Sequence, residues 1–127
     1  MSKGILTQNG VHLNEHEYKT IKTLLNNGYD VELIPPSQVK GIHLPDIYMN
    51  SVAWEIKSPE GKGKNTILHN LQSAKKQSHN VIIDLRRCGL SESVAIKELK
   101  NLFDRSKSLR RMLVITKSEE ILDLQEV

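Results

Sequence analysis

The chain is poor in several things, and each shortage closes off a class of protein. A single cysteine, Cys88, stands among 127 residues. No intramolecular disulfide can form, and a four-cysteine zinc site is excluded. Aromatic residues make up only 4%, too few for a platform on which single-stranded bases stack. No apolar run exceeds a few residues, so nothing reads as a membrane span. The first residues, Met1-Ser2-Lys3-Gly4-Ile5-Leu6-Thr7, lack the apolar centre of a signal peptide. Repeats and low-complexity segments are absent too.

What is there suits one folded domain covering residues 1–127, with residues 1–13 as a loose lead-in. Hydrophobic content of 38% and charged content of 26% are ordinary for a globular chain. The formal net charge is +3, and its placement says more than its size. One basic run holds Arg86, Arg87, Lys97, Lys100, Arg105, Lys107, Arg110 and Arg111; a second holds Lys57, Lys62, Lys64, Lys75 and Lys76. Such clusters attract polyanions, and they also serve as plain solvated faces.

Periodicity and punctuation give the order α-β-β-β-α-β-α-β-β. Asn14 caps a helix and Glu17 completes a capping box; Tyr18, Ile21, Leu24 and Leu25 share a face, and Gly28 stops it. Tyr29 to Ile34 reads as a strand ended by Pro35-Pro36. A hairpin follows, then a flexible cationic loop at residues 59–64. A helix from Asn65 or Thr66 to about Ser78, a strand at residues 80–85, a helix capped by Ser91 and strands at residues 112–116 and 120–124 complete the chain. Strands alternating with amphipathic helices imply an α/β (α+β) fold, a mixed central sheet flanked by helices.

The hairpin, residues 45–57, carries the chemistry. A two-residue turn at Asn50-Ser51 sets Asp46 opposite Glu55, on one face with Cβ atoms about 4.5–5.5 Å apart. Lys57 follows by two and joins that face. Ile47, Met49, Val52, Trp54 and Ile56 form the other face, toward the core. Two acids and an amine together suit metal-assisted phosphodiester hydrolysis. Asp46 and Glu55 would hold a hard cation such as Mg²⁺, and Lys57 would orient water or offset charge at phosphorus. Glu17, with Glu15 as competitor, is the candidate third carboxylate. Asn70 and Gln77, read as helix residues on one side, would touch substrate or a metal-bound water. Lys62, Lys64, Lys76 and Arg86 are candidate phosphate contacts, Arg86 being equally suited to a salt bridge. Three alternatives stay open. One is RNA cleavage through the 2′-hydroxyl, with His69, His79, Lys57 and Arg86 as acid–base and charge-stabilising groups. The others are a DNA endonuclease of the same fold and a binding module without catalysis. Cys88 has no paired histidine in view, and Gly61-Lys62-Gly63-Lys64 lacks P-loop spacing.

Asp46…Glu55-Ile56-Lys57 after a helix resembles the PD-(D/E)XK nuclease superfamily, of restriction-endonuclease-like fold. Trp54-Glu55-Ile56-Lys57-Ser58-Pro59, the glycine–lysine loop, Asn70-Leu71, Ala74-Lys75-Lys76-Gln77-Ser78 and the block from Asn80 to Arg87 resemble C-terminal toxin domains of bacterial contact-dependent growth inhibition proteins. The likeness runs over about residues 9–124. It implies an endoribonuclease toxin that cuts tRNA, and it carries a catalytic role to Asp46, Glu55 and Lys57. It also implies a cognate immunity protein that covers the active site and, for some relatives, a host translation elongation factor that presents the tRNA. Delivery as part of a larger surface protein into a target cell's cytoplasm, without a membrane partner, follows from the same likeness.

Overall fold

A computed structural model describes residues 2–125. In chain order the elements are β1 (Leu6–Thr7), α1 (Glu15–Asn26), β2 (Val31–Leu33), β3 (Ile47–Met49), β4 (Val52–Lys57), α2 (Thr66–Lys75), β5 (Asn80–Asp84), α3 (Glu92–Arg105), β6 (Arg111–Ile115) and β7 (Ile121–Asp123). The strands pair in chain order, β1 through β7, in a mixed sheet. This is the mixed α+β architecture that the alternation of strands and helices called for. The chain forms two compact units, one ending at Trp54 and the other beginning at Glu55, so the boundary falls inside β4.

In the first unit, α1 starts where its cap dictates. The Asn14 side chain accepts from the Glu17 amide at 2.9 Å, and the Glu17 carboxylate accepts from the Asn14 amide at 3.0 Å. Two amides that the helix leaves orphaned are thereby satisfied. The helix ends in a Schellman arrangement: Gly28 has φ +90°, its amide bonds Leu25 O at 3.0 Å, and the Tyr29 amide bonds Leu24 O at 3.1 Å. The buried face carries Thr20, Ile21, Thr23 and Leu24. Thr20 and Thr23 satisfy their hydroxyls on the carbonyls of His16 and Lys19, at 3.3 and 3.0 Å. Asn14→Ala removes the capping acceptor, and the expected loss is about 1 kcal/mol of stability by urea unfolding.

The lead-in forms β1, which runs parallel to β2, while β2 and β3 are antiparallel. The hairpin turn is the one read from sequence. Asn50 and Ser51 have φ of +51° and +63°, as a type I′ two-residue turn requires. Met49 faces Val52, Tyr48 faces Ala53 and Ile47 faces Trp54. Ile47, Met49 and Trp54 are buried, but Val52, expected in the core, is 38% exposed. Val52 borders the turn, and the β2–β3 pairing ends at Glu32 and Tyr48, so the tip extends past the ladder. Ile56, also expected in the core, is half-buried.

In the second unit, Glu55–Lys57 pair parallel with β5, and β5 pairs parallel with β6, which carries β7 antiparallel at its side. Parallel neighbours need a crossover, supplied here by α2 and α3. Ile67, Leu71 and Ala74 of α2 and Ala95 and Leu99 of α3 pack in one cluster with Val81, Ile83, Leu85, Met112, Val114 and Leu124. From Val81 to Leu85 every residue is buried, as expected of a central strand covered on both faces.

Candidate functional site

Glu55 and Lys57 alternate along β4 and share a face. Their register partners are Val81 and Ile83, both members of the cluster under α2 and α3. The acid and the lysine therefore lie on the helix-covered side of the parallel ladder. Glu55 is only 7% exposed, and Lys57 Nζ lies 3.6 Å from Glu55 Oε2. A carboxylate is costly to bury unless a counter-charge or donors accompany it, and the lysine supplies one. Lysine is a compact point charge on a mobile stem, suited to following charge as it develops on phosphorus.

The cationic loop after β4, expected to be flexible, is tethered at Glu60 and Gly61. Gly61 bridges to Cys88, the Gly89 amide donates to Gly61 O at 2.7 Å, and Arg87 pairs with Glu60. Lys117 Nζ in turn donates to the carbonyls of Cys88 and Leu90, at 2.8 and 3.0 Å. Gly61 has φ +87°, and a Cβ on Gly89 would sit 3.1 Å from Gly61 O. Glycine at both positions lets the two loops approach. Lys62 and Lys64 stay exposed, and among the described residues neither forms an ion pair.

The remaining candidates divide. Asp46 is exposed at the start of the hairpin, its amide bonded to Trp54 O at 3.0 Å. Glu17 uses one carboxylate oxygen in the capping box, and Glu15 pairs with Lys19 at 3.5 Å. Asn70 turns its amide back onto its own helix, donating to Thr66 O at 2.9 Å. Gln77 is a correction: α2 ends at Lys75 and Lys76 is its C-cap, so Gln77 lies just past the helix and not on it. Its Oε1 is buried without a hydrogen-bond partner.

Arg86 is committed within the protein. It donates from Nε to Asp84 Oδ1 at 3.1 Å, and its terminal nitrogens reach Asp84 Oδ2 at 2.7 Å and Glu119 Oε1 at 3.0 Å. The hydrogen bonds to Asp84, foremost, raise its pKa above the ordinary value against the opposing effect of burial. Asp84, 2% exposed, escaped the sequence reading, although its place two residues before Arg86 was the available signal. His69 is exposed, and His79 holds Ser108 O through Nδ1 at 2.8 Å. Cys88 is a buried free thiol. Among the described residues no three of His, Cys, Asp and Glu gather as a metal-binding group. A groove of about 460 Å³ in the first unit is lined by Ile5, Thr7, Asp30, Glu32, Tyr48 and the hairpin tip, with no lysine or arginine. Its acids disfavour phosphate.

The fold and the buried pair together define a small mixed α+β domain with an acid–lysine couple on a central strand. Residues 43–121 match the family described as the contact-dependent growth inhibition CdiA C-terminal domain. A chain of a solved structure, the CdiA-CT/CdiI toxin and immunity complex from Burkholderia pseudomallei, shares the fold with a TM-score of 0.69. The two are 19% identical, and the match covers 94% of this chain and 98% of that one. No curated protein matches. The chain belongs to this family, the CdiA C-terminal domains of contact-dependent growth inhibition. Such a domain is part of a larger delivered protein, and no helix among the described residues is long and apolar enough to cross a membrane.

Proposed function

We propose that this toxin domain is an endoribonuclease that hydrolyses tRNA with the help of a divalent metal. The observation that carries the reading is the Glu55–Lys57 couple, a carboxylate and an ammonium 3.6 Å apart on one strand face. Glu55 and Asp46 are assigned as the metal-holding acids. Their hard oxygens suit Mg²⁺, which takes one or two carboxylates and completes its shell with water and phosphate oxygens. When bound, that ion supplies Lewis-acid polarisation of the phosphate.

Lys57 orients the attacking water and offsets the negative charge that grows on the phosphoryl oxygens. The water oxygen bonds to phosphorus and gives up a proton, the bond from phosphorus to the leaving ribose oxygen breaks, and that oxygen takes up a proton, so the protons balance. Lys62 and Lys64, exposed on a loop held at Gly61, engage flanking phosphates. Glu17 is a weaker candidate, because the capping box already engages its carboxylate. The known complex of the Burkholderia relative with its immunity protein supports a cognate immunity protein here, and the toxin would act in the cytoplasm of the target cell.

Total tRNA incubated with the protein is expected to be cut in Mg²⁺, spared in excess EDTA, and cut again when Mg²⁺ is restored. Cleavage that persists in EDTA and leaves 2′,3′-cyclic phosphate ends would instead assign the chemistry to the 2′-hydroxyl. Cutting of plasmid with tRNA untouched would assign it to DNA.

A further inference from the structure

The two basic runs of the sequence are not the two basic clusters of the structure. Lys75 and Lys76 close α2 and lead into β5, while Arg105, Lys107 and Arg110 join α3 to β6. These two connections are tied together. The Arg110 amide donates to His79 O at 2.8 Å, and His79 Nδ1 bonds Ser108 O at 2.8 Å. Just beyond, Asn80 registers with Arg111. Five exposed cations thus gather at one end of the second unit, where the parallel strands β5 and β6 begin.

Among the described residues none of the five forms an ion pair. The neighbouring acids are taken: Asp104 by Lys100 at 3.1 Å, and Asp123 by Arg111 at 2.7 Å. The negative ends of α2 and α3 account in part for Lys75, Lys76 and Arg105, but Lys107 and Arg110 lie outside both helices.

We propose that this end of the unit is a second RNA-backbone site, separate from the phosphate contacts of Lys62 and Lys64. Those two lysines follow the C-terminal end of β4, which runs parallel to β5, whereas the five cations precede β5 and β6. Lys57 registers with Ile83, three residues along from Asn80, or about 10 Å. That is at least about three steps of a stacked strand at 3.4 Å each. A structured RNA reaches both ends, and a dinucleotide does not.

The chemistry favours RNA over a protein partner. Ser106 and Ser108 alternate with Arg105, Lys107 and Arg110, and Ser78 follows Lys76; none of the exposed large apolar side chains belongs to residues 75–80 or 105–111. Phosphate oxygens are bound by cations and hydroxyls, whereas a stable protein interface wants an apolar centre.

The proposal rests on the ribonuclease reading, and its test separates the two. Binding of labelled total tRNA is measured against salt, with Lys57→Ala in every protein so that the RNA survives. The triple variant Lys76→Gln/Lys107→Gln/Arg110→Gln is compared with a charge-matched control, Lys3→Gln/Lys22→Gln/Lys40→Gln. The slope of log K against log salt is expected to become shallower by about 2–3 in the triple variant and to stay unchanged in the control. Equal slopes in all three proteins, or equal losses in both variants, overturn the second site and leave the cleavage reading standing. A triple variant that keeps its tRNA slope but loses the immunity protein overturns it in favour of a protein dock. A parent protein that does not bind tRNA overturns both.

Discussion

Replacing Lys57 by methionine is expected to lower tRNA cleavage by about 10²–10³-fold, the usual cost of removing one group that stabilises charge in a transition state. The same change removes the ammonium beside a carboxylate that is only 7% exposed, so some stability goes with it. The double variant Glu55→Gln/Lys57→Met separates the two effects. It removes both charges and keeps much of the volume, so the folded state is expected to recover most of what the single change lost. Cleavage is not expected to recover. Thermal unfolding and cleavage of total tRNA, read side by side on the two variants, make the test. Recovery of cleavage together with stability would show that the couple is a structural ion pair and would remove the catalytic assignment.

The largest expected effect on stability lies at Asp84. Its carboxylate accepts from the backbone amide, Nε and a terminal nitrogen of Arg86, at 3.0, 3.1 and 2.7 Å. Asp84→Ala takes away all three hydrogen bonds while the guanidinium remains half-buried. Removing one partner of a buried pair costs about 3–5 kcal/mol, which for a chain of this size lowers Tm by about 10–20 °C. Glu119→Ala removes the other acceptor of Arg86, but that side chain is 68% exposed, and the expected loss is only about 0–1 kcal/mol. The contrast between the two variants is the measurement. Equal small losses would mean that water screens the Asp84 pair as well. Asp84 ends β5 just before Arg87, Cys88 and Gly89, which hold the Gly61 loop, so its loss is expected to loosen Lys62 and Lys64 too.

Much of the local structure was legible because local geometry decides it. Asn14 and Glu17 satisfy each other's amides within one turn of helix. Asn50 and Ser51 adopt positive φ, and a two-residue turn then leaves one register for β3 on β4. Gly28 stops α1 because its backbone alone accepts the left-handed conformation there at no cost. The misreadings came from pairings distant in sequence. Val52 alternates correctly for a core residue, but the β2–β3 pairing stops short of the hairpin tip where it sits. Gln77 continues an apparent helical spacing, but α2 closes at Lys75. The Pro59–Lys64 loop has the composition of a free linker, and the partners that hold it, Arg87 to Gly89, lie more than twenty residues on.

For the candidate site the division is similar. Alternation along one strand was enough to put Glu55 and Lys57 on a common face, since side chains on a strand repeat every two residues. Their burial under the helix-covered side of the ladder was decided by parallel pairing with Val81 and Ile83, which no neighbour in the sequence announces. Arg86 looked like a phosphate contact as readily as a salt bridge; Asp84 and Glu119 engage it, one of them 33 residues away.

The amino-acid sequence by itself determined the caps, the turn, the strand faces and the order of elements from α1 onward, because these depend on a few adjacent residues and on the period of the backbone. Only the tertiary structure decided which charges are neutralised and which stand together. Charges sort by distance in space, and the parallel ladder ties the connection that carries Lys76 to the one that carries Lys107 and Arg110, at the opposite end of the strands from Lys62 and Lys64.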